Sequence, residues 1–283
     1  MTTVAGVRQA SPSPTVAVDR VTVTFGSKRA LDSASVFVRP GDFVAVIGRS
    51  GAGKTTLLRV ISRALDVSAG SVRFGGTELS ALRGRALRGH RAHVGMIYQQ
   101  FNLVKRLRVM DNVLVGRLAH VRGWRRALAL ARRFDGGQRA VALRALDHVG
   151  LLDRAWQRTD TLSGGEQQRV AIARILAQEP ALILGDEPVA SLDVLNGGLV
   201  METLRTIASE SGLTVITTLH HVEYARRYAD RIIGLSAGHV VFDGTPDELT
   251  DAAIAEIFGD TRDVSGSPPT AVTQPGWQVA VAS

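Results

Sequence analysis

The chain has 283 residues, 45% of them hydrophobic, and a formal net charge of +8. That length accommodates one large α/β domain, or a core with a small subdomain and tails, and no apolar run approaches the roughly 20 residues of a spanning helix. Cysteine is absent, which excludes a disulfide framework and a thiolate metal site, and residues 1–14 lack the apolar stretch of a secretion signal, so the cytosol is expected.

Residues 16–25 (VAVDRVTVTF) and 34–38 (ASVFV) alternate or cluster apolar side chains as strands do. Gly41 and Asp42 turn the chain into FVAVIG (43–48), an apolar run of buried-strand length. A Gly-rich loop follows and opens a helical pattern from Lys54 to about residue 65, with a short strand expected at 71–75. Residues 80–178 read as mainly helical, with segments near 125–134, 139–148 and 166–178. ALILG (181–185) and TVITTL (214–219) are further buried strands, and 231–243 reads as a strand pair turning at Gly238. Strands that alternate with helices and carry apolar runs imply a mostly parallel sheet covered on both faces. The termini, 1–14 and 260–283, have the composition of flexible tails around one domain at 15–259.

The positive charge is concentrated. From Arg83 to Arg133 there are thirteen Arg or Lys residues and one acid, Asp111. Such a block fits a solvated face, an anionic lipid surface or nucleic acid, in that order of weight. Only three of the 34 basic residues are Lys, a compositional skew that lowers the weight of any single Arg. Trp124, Ala127, Leu128, Ala131 and Phe134 fall near helical spacing, with Arg125, Arg126, Arg132 and Arg133 elsewhere round the helix. An interfacial helix on lipid fits that pattern, but packing against the helical region with arginines in water fits it better.

The chemistry begins at Gly48-Arg49-Ser50-Gly51-Ala52-Gly53-Lys54-Thr55, which satisfies G-x-x-x-x-G-K-[ST] between a strand and a helix. Glycines let successive N–H groups face inward around phosphate oxygens, and the helix N-terminus adds partial positive charge. Lys54 reaches the outer phosphates, and Thr55 offers a hydroxyl oxygen to Mg²⁺. Asp186 and Glu187 end the strand ALILG, where open α/β sheets bind ligands. Asp186 suits Mg²⁺ through its water shell, and Glu187 suits a general base on the attacking water. A nucleotide site is implied.

Leu162-Ser163-Gly164-Gly165-Glu166-Gln167-Gln168-Arg169 resembles the signature segment of ABC ATPases, with Glu166 where Gln is commonest. The resemblance spans about residues 16–250. It implies a P-loop, RecA-like α/β core with a helical subdomain at about 80–178 and a β-rich edge. It implies a homodimer in which Ser163, Gly164 and Gly165 of one copy close over ATP held by the other copy's phosphate loop, Gly48 to Thr56. Phe25 resembles the aromatic that stacks on adenine, although a lone aromatic also fits a core. Gln99 resembles the glutamine that senses Mg²⁺ and water. Asp193, in Ser191-Leu192-Asp193, looks like the loop communicating across the dimer, and His220 is similar to the histidine that contacts the γ-phosphate. Its neighbour His221 competes for that role, but the ten residues from His220 to Asp230 match the family spacing better. Gly185 and Val194 depart from the usual Ala and Pro.

Stretches 96–120, 157–184, 186–193 and 218–235 resemble the ATPase subunits of phosphonate importers, with polar amino-acid importers as the nearest rival. The expected partners are therefore integral permease subunits at the cytoplasmic face of the cell membrane and, indirectly, an external substrate-binding protein. Nucleic acid is not expected. A non-transport ABC ATPase is disfavoured because Ser163 follows Lys54 too closely for a long coiled coil, and a P-loop kinase leaves the signature unexplained.

Overall fold

The computed structural model describes residues 13–121 and 134–259. Two sheets share one domain. Strands β1 (Val16–Phe25), β2 (Lys28–Val38), β4 (Ala69–Phe74) and β5 (Thr77–Glu78) form an antiparallel sheet in the order β2-β1-β4-β5. The larger sheet has six strands in the order β10-β9-β3-β8-β7-β6, from β3 (Phe43–Ile47), β6 (Val94–Tyr98), β7 (Leu182–Asp186), β8 (Thr214–Leu219), β9 (Arg231–Ser236) and β10 (His239–Gly244). Its pairs are parallel except β9 with β10.

The two-residue period of a strand divides the interior into two cores. On β3, Phe43, Ala45 and Ile47 face a core built with the later helices, while Val44 and Val46 face one built with α1 (Lys54–Ile61) and the antiparallel sheet. Leu182 and Leu184 of β7 join the second core and Ile183 the first. All five residues of β3 are fully buried, which is why FVAVI shows no polar alternation. The central strands are therefore fixed on both faces, and the loops at their carboxyl ends are held on a rigid base.

The helical elements are α2 (Gly84–His93), α3 (Val109–Leu114), α4 (Gly136–His148), α5 (Gly164–Ala177), α6 (Val194–Ser211), α7 (Val222–Tyr228) and α8 (Asp251–Phe258). The stretch 80–178 is not all helix: β6 lies within it and pairs with β7. A five-residue apolar run does not reveal its period, so helix and strand look alike in the sequence there. Pairing decides it, since Val94 to Tyr98 lie in parallel register with Leu182 to Asp186, and Gly95 lets the strand approach Ile175, whose Cγ2 a Cβ would meet at 2.3 Å. The expected helix near 125–134, with Trp124 and its four arginines, lies outside the described residues, whereas Phe134 packs on the main core. Ser13, assigned to the N-terminal tail, is anchored, its hydroxyl donating to the Gly212 carbonyl at 2.7 Å. Among the described residues, no helix is long and apolar enough to cross a membrane.

Candidate nucleotide site

The phosphate loop leaves β3 with side chains excluded by its neighbours. A Cβ on Gly48 would lie 2.2 Å from the Leu235 carbonyl oxygen, and one on Gly53 would lie 2.5 Å from that of Ala30. Ala52 is buried and its carbonyl accepts from Gly238 N at 3.1 Å, so the turn between β9 and β10 braces the loop from beneath. Gly51 has open space where a side chain would project, and Arg49 and Ser50 are exposed. α1 follows Gly53, which gives it no side-chain cap, and has no acid in its first turn, where half-buried Thr55 and Thr56 sit. Its first N–H groups therefore keep their preference for an anion.

Lys54 is 5% exposed, and its ammonium donates to the carbonyls of Gly48 (2.8 Å) and Arg49 (3.2 Å). Burial pulls its pKa below the ordinary lysine value, against the opposing pull of the Glu187 and Asp186 carboxylates. Thr55 Oγ1 donates to Asp186 Oδ1 at 2.8 Å. A hydroxyl and a carboxylate oxygen side by side are a donor set suited to Mg²⁺, which takes few protein oxygens and keeps water and phosphate as its other ligands. The residues present fit ATP and Mg²⁺.

Glu187 turns away from β7 with a positive φ of 54°, and its carboxylate meets His220 Nε2 at 2.5 Å. His221 instead stacks edge-on against Tyr224, with ring centroids 5.9 Å apart. Gln99 is exposed one residue beyond β6, whose Tyr98 pairs with Asp186, and Gln100 beside it is also exposed. The chain after Gln99 is tied to α5, because Arg174 donates to the carbonyls of Asn102 (2.7 Å) and Phe101 (3.3 Å). Phe25 is 51% exposed at the end of β1, beside Lys28 across a tight turn. The strand continuing from that turn carries Ala30 and Leu31, which abut Gly53 of the phosphate loop.

Ser163, Gly164, Gly165 and Asp193 gather in a second cluster. Ser163 caps α5, its hydroxyl accepting from Glu166 N (3.3 Å) while Ser163 N donates to Glu166 Oε2 (2.8 Å). That backbone bond holds the Glu166 carboxyl below its usual range, against partial burial. The S-x-x-E spacing is a capping-box signal visible in the sequence, and it gives Glu166 a local role at a position where Gln is commonest. Gly165 packs on Asn196, which a Cβ would approach to 2.7 Å, and Asn196 in turn donates to Asp193 Oδ1 (3.0 Å) and Oδ2 (2.6 Å).

Sequence reasoning missed the hydroxyls of Thr217 and Thr218, two of the three threonines in a fully buried strand. A Cβ on Gly185 would lie 2.6 Å from Thr217 Oγ1, so the glycine that stands where Ala is usual makes room for this hydroxyl. Gly185→Ala is expected to cost about 1–3 kcal/mol through overpacking. In urea denaturation, a cycle with Thr217→Ala should show a favourable coupling of about 0.5–3 kcal/mol. Additive effects would show that the two positions are independent.

The ABC transporter family matches residues 31–190. The phosphonates import ATP-binding protein PhnC of Agrobacterium fabrum is 51% identical over 265 residues, 92% of each chain. Its counterpart in Rhodopseudomonas palustris strain BisB5 is 52% identical over 253 residues, 89% of this chain and 93% of that one. Among solved structures, a dimeric ATP-binding cassette in a post-hydrolysis state bound to ADP and Pi aligns at TM-score 0.70 and 32% identity, over 82% of this chain and 98% of that one. A cassette in its ADP conformation shares the fold at TM-score 0.76 and 24% identity, over 86% and 98%. With a phosphate loop braced at the end of β3, a Thr55–Asp186 pair beside it and a signature-like helix cap, the chain is an ATP-binding member of the ABC transporter family.

Proposed function

We propose that the chain hydrolyses ATP as a homodimer and energises the uptake of phosphonates through permease subunits at the cytoplasmic face of the cell membrane. The observation that carries the chemical part is the juxtaposition at the end of β7. Thr55 bonds Asp186, and one residue on Glu187 meets His220. Of the three ammonium donors of Lys54, two serve the loop carbonyls and the third serves the outer phosphates. Glu187 accepts the proton of the attacking water, and His220 holds the carboxylate and senses the γ-phosphate. Gln99 orients the water, Phe25 stacks on adenine, and the N–H groups from Gly51 to Thr56 spread over the phosphates. Thr55, Asp186 and Gln99 would hold Mg²⁺, which when bound would neutralise charge on the phosphate oxygens. Catalysis is positioning and charge stabilisation, with little covalent work for the protein.

Two copies are needed because the chain carries two anion-binding helix ends in separate clusters, one at Lys54 and one at Ser163. Facing copies complete two sandwiches, with Ser163, Gly164 and Gly165 on the partner's ATP and Asp193 at the seam. Val194, Leu195 and Leu199, directly after Asp193, are 80%, 82% and 60% exposed, an apolar patch that a second copy would cover. The loop after Gln99, bonded to α5 through Arg174, links the γ-phosphate region to the signature helix and carries the stroke to the permease.

The substrate reading rests on relatives that share half of this sequence along nearly its whole length. Reconstituted in lipid with its permease subunits, the chain should hydrolyse ATP faster when a phosphonate-loaded binding protein is added than when the empty one is. Stimulation only by an amino-acid-loaded binding protein would move the substrate to polar amino acids. ATPase activity that responds to DNA or ribosomes, with no permease bound, would remove transport itself.

A further inference from the structure

β8 ends in two buried hydroxyls, Thr217 and Thr218, both 0% exposed and neither used in the roles above. They do different things. Thr217 donates across the sheet to the Gly185 carbonyl of β7 at 3.3 Å and reaches no residue of the site. Thr218 reaches across to the functional loop: its Oγ1 accepts from the Glu187 backbone N–H at 2.9 Å. Its single hydroxyl proton faces Asp186 Oδ1 at 3.3 Å and the Gly185 carbonyl at 3.4 Å. The parallel register pairs Asp186 with Thr218, so the hydroxyl lies beside the point where β7 stops and the backbone turns.

The geometry points to Thr218 as a positioning residue for hydrolysis, fixing the Glu187 backbone and the Asp186 carboxylate through one hydroxyl. This inference rests on Glu187 being the base. Glu187 holds a φ of +54°, a conformation that side-chain-bearing residues rarely adopt and that persists only where the surroundings dictate it. The N–H bond to Thr218 is a restraint that a turn of this kind requires, and it comes from the strand that also leads to His220. Asp186 Oδ1 likewise receives Thr55 from α1 and Thr218 from β8, so the carboxylate is set from two elements. Valine in place of Thr218 fills nearly the same volume but offers no acceptor to Glu187 N–H and no proton to Asp186.

The test uses the full chain carrying Thr218→Val, Thr218→Ser or Glu187→Gln, with steady-state ATPase, affinity for a fluorescent ATP analogue and thermal midpoint read in parallel. Thr218→Val should lower kcat about 10- to 100-fold, the scale of a misplaced catalytic group. Its KM for ATP and its analogue affinity should stay within about threefold of wild type, because Lys54 and the phosphate loop are untouched and Thr55 still bonds the Asp186 carboxylate. Thr218→Ser keeps the hydroxyl and should restore kcat to within about threefold. Wild-type turnover by Thr218→Val, or equal loss in the serine variant, would overturn the proposal. If the valine variant does not fold, Thr218→Ala is measured in the same way, and wild-type turnover there overturns it equally. An inactive Glu187→Gln beside a fully active Thr218→Val overturns this proposal alone, whereas a fully active Glu187→Gln overturns the base assignment and this inference with it.

Discussion

Replacing Glu187 by Gln should reduce ATP turnover by about 10²–10⁴-fold while leaving ATP affinity nearly unchanged. The range is that of a lost general base. The amide is close in size to the carboxylate and cannot accept the proton of a water. Affinity should survive because the groups proposed to meet the phosphates, Lys54 and the N–H groups opening α1, lie on another element. His220 keeps a carbonyl oxygen to bond, so the loop geometry should persist. Single-turnover hydrolysis with a chromatographic measure of bound nucleotide checks both halves. Wild-type rates would exclude Glu187 as the base, whatever its contact with His220.

Lys54→Ala should have the opposite signature. On the proposed site the outer phosphates would lose a buried cation, and charge-assisted hydrogen bonds of this kind are worth about 1.5–3 kcal/mol, which would weaken ATP roughly 10- to 100-fold. A further loss comes from the loop itself, since the same ammonium joins the carbonyls of Gly48 and Arg49 and holds the turn closed. Titration of a fluorescent ATP analogue reads the effect directly. Unchanged affinity would place the phosphates elsewhere.

The contrast between these variants reflects which parts of the site a sequence displays. The phosphate loop is legible because its chemistry needs glycines and a lysine at fixed local offsets, and the structure adds what excludes side chains at Gly48 and Gly53. Asp186-Glu187 is legible because an apolar run ending in two acids names the carboxyl end of a buried strand. Thr218 is not, since its role depends on β8 lying parallel to β7 in one register, and residues 31 positions apart then share a hydrogen bond. β6 was hidden for a related reason: VGMIY acquires its strand character from pairing with β7 and packing on Ile175, not from its own period. His220 and His221 are equivalent as neighbours in sequence, and the turn into α7 separates them, sending one to Glu187 and the other to Tyr224.

The helix caps follow the same division. α1 is left without a side-chain cap, whereas α5 closes on itself through Ser163 and Glu166, and α6 through Asp193. One helix end thus carries no side-chain cap, whereas at the other the Glu166 carboxylate holds the Ser163 N–H and the Ser163 hydroxyl holds that of Glu166.

The central claim is that ATP is held between two copies of this chain, and the mass of Glu187→Gln in solution tests it most directly. Measured by size-exclusion chromatography with light scattering, the variant should run as a dimer with ATP and as a monomer without it, because it binds but does not hydrolyse. A single-chain mass at saturating ATP would contradict the shared site and leave the Ser163 cluster without its phosphate.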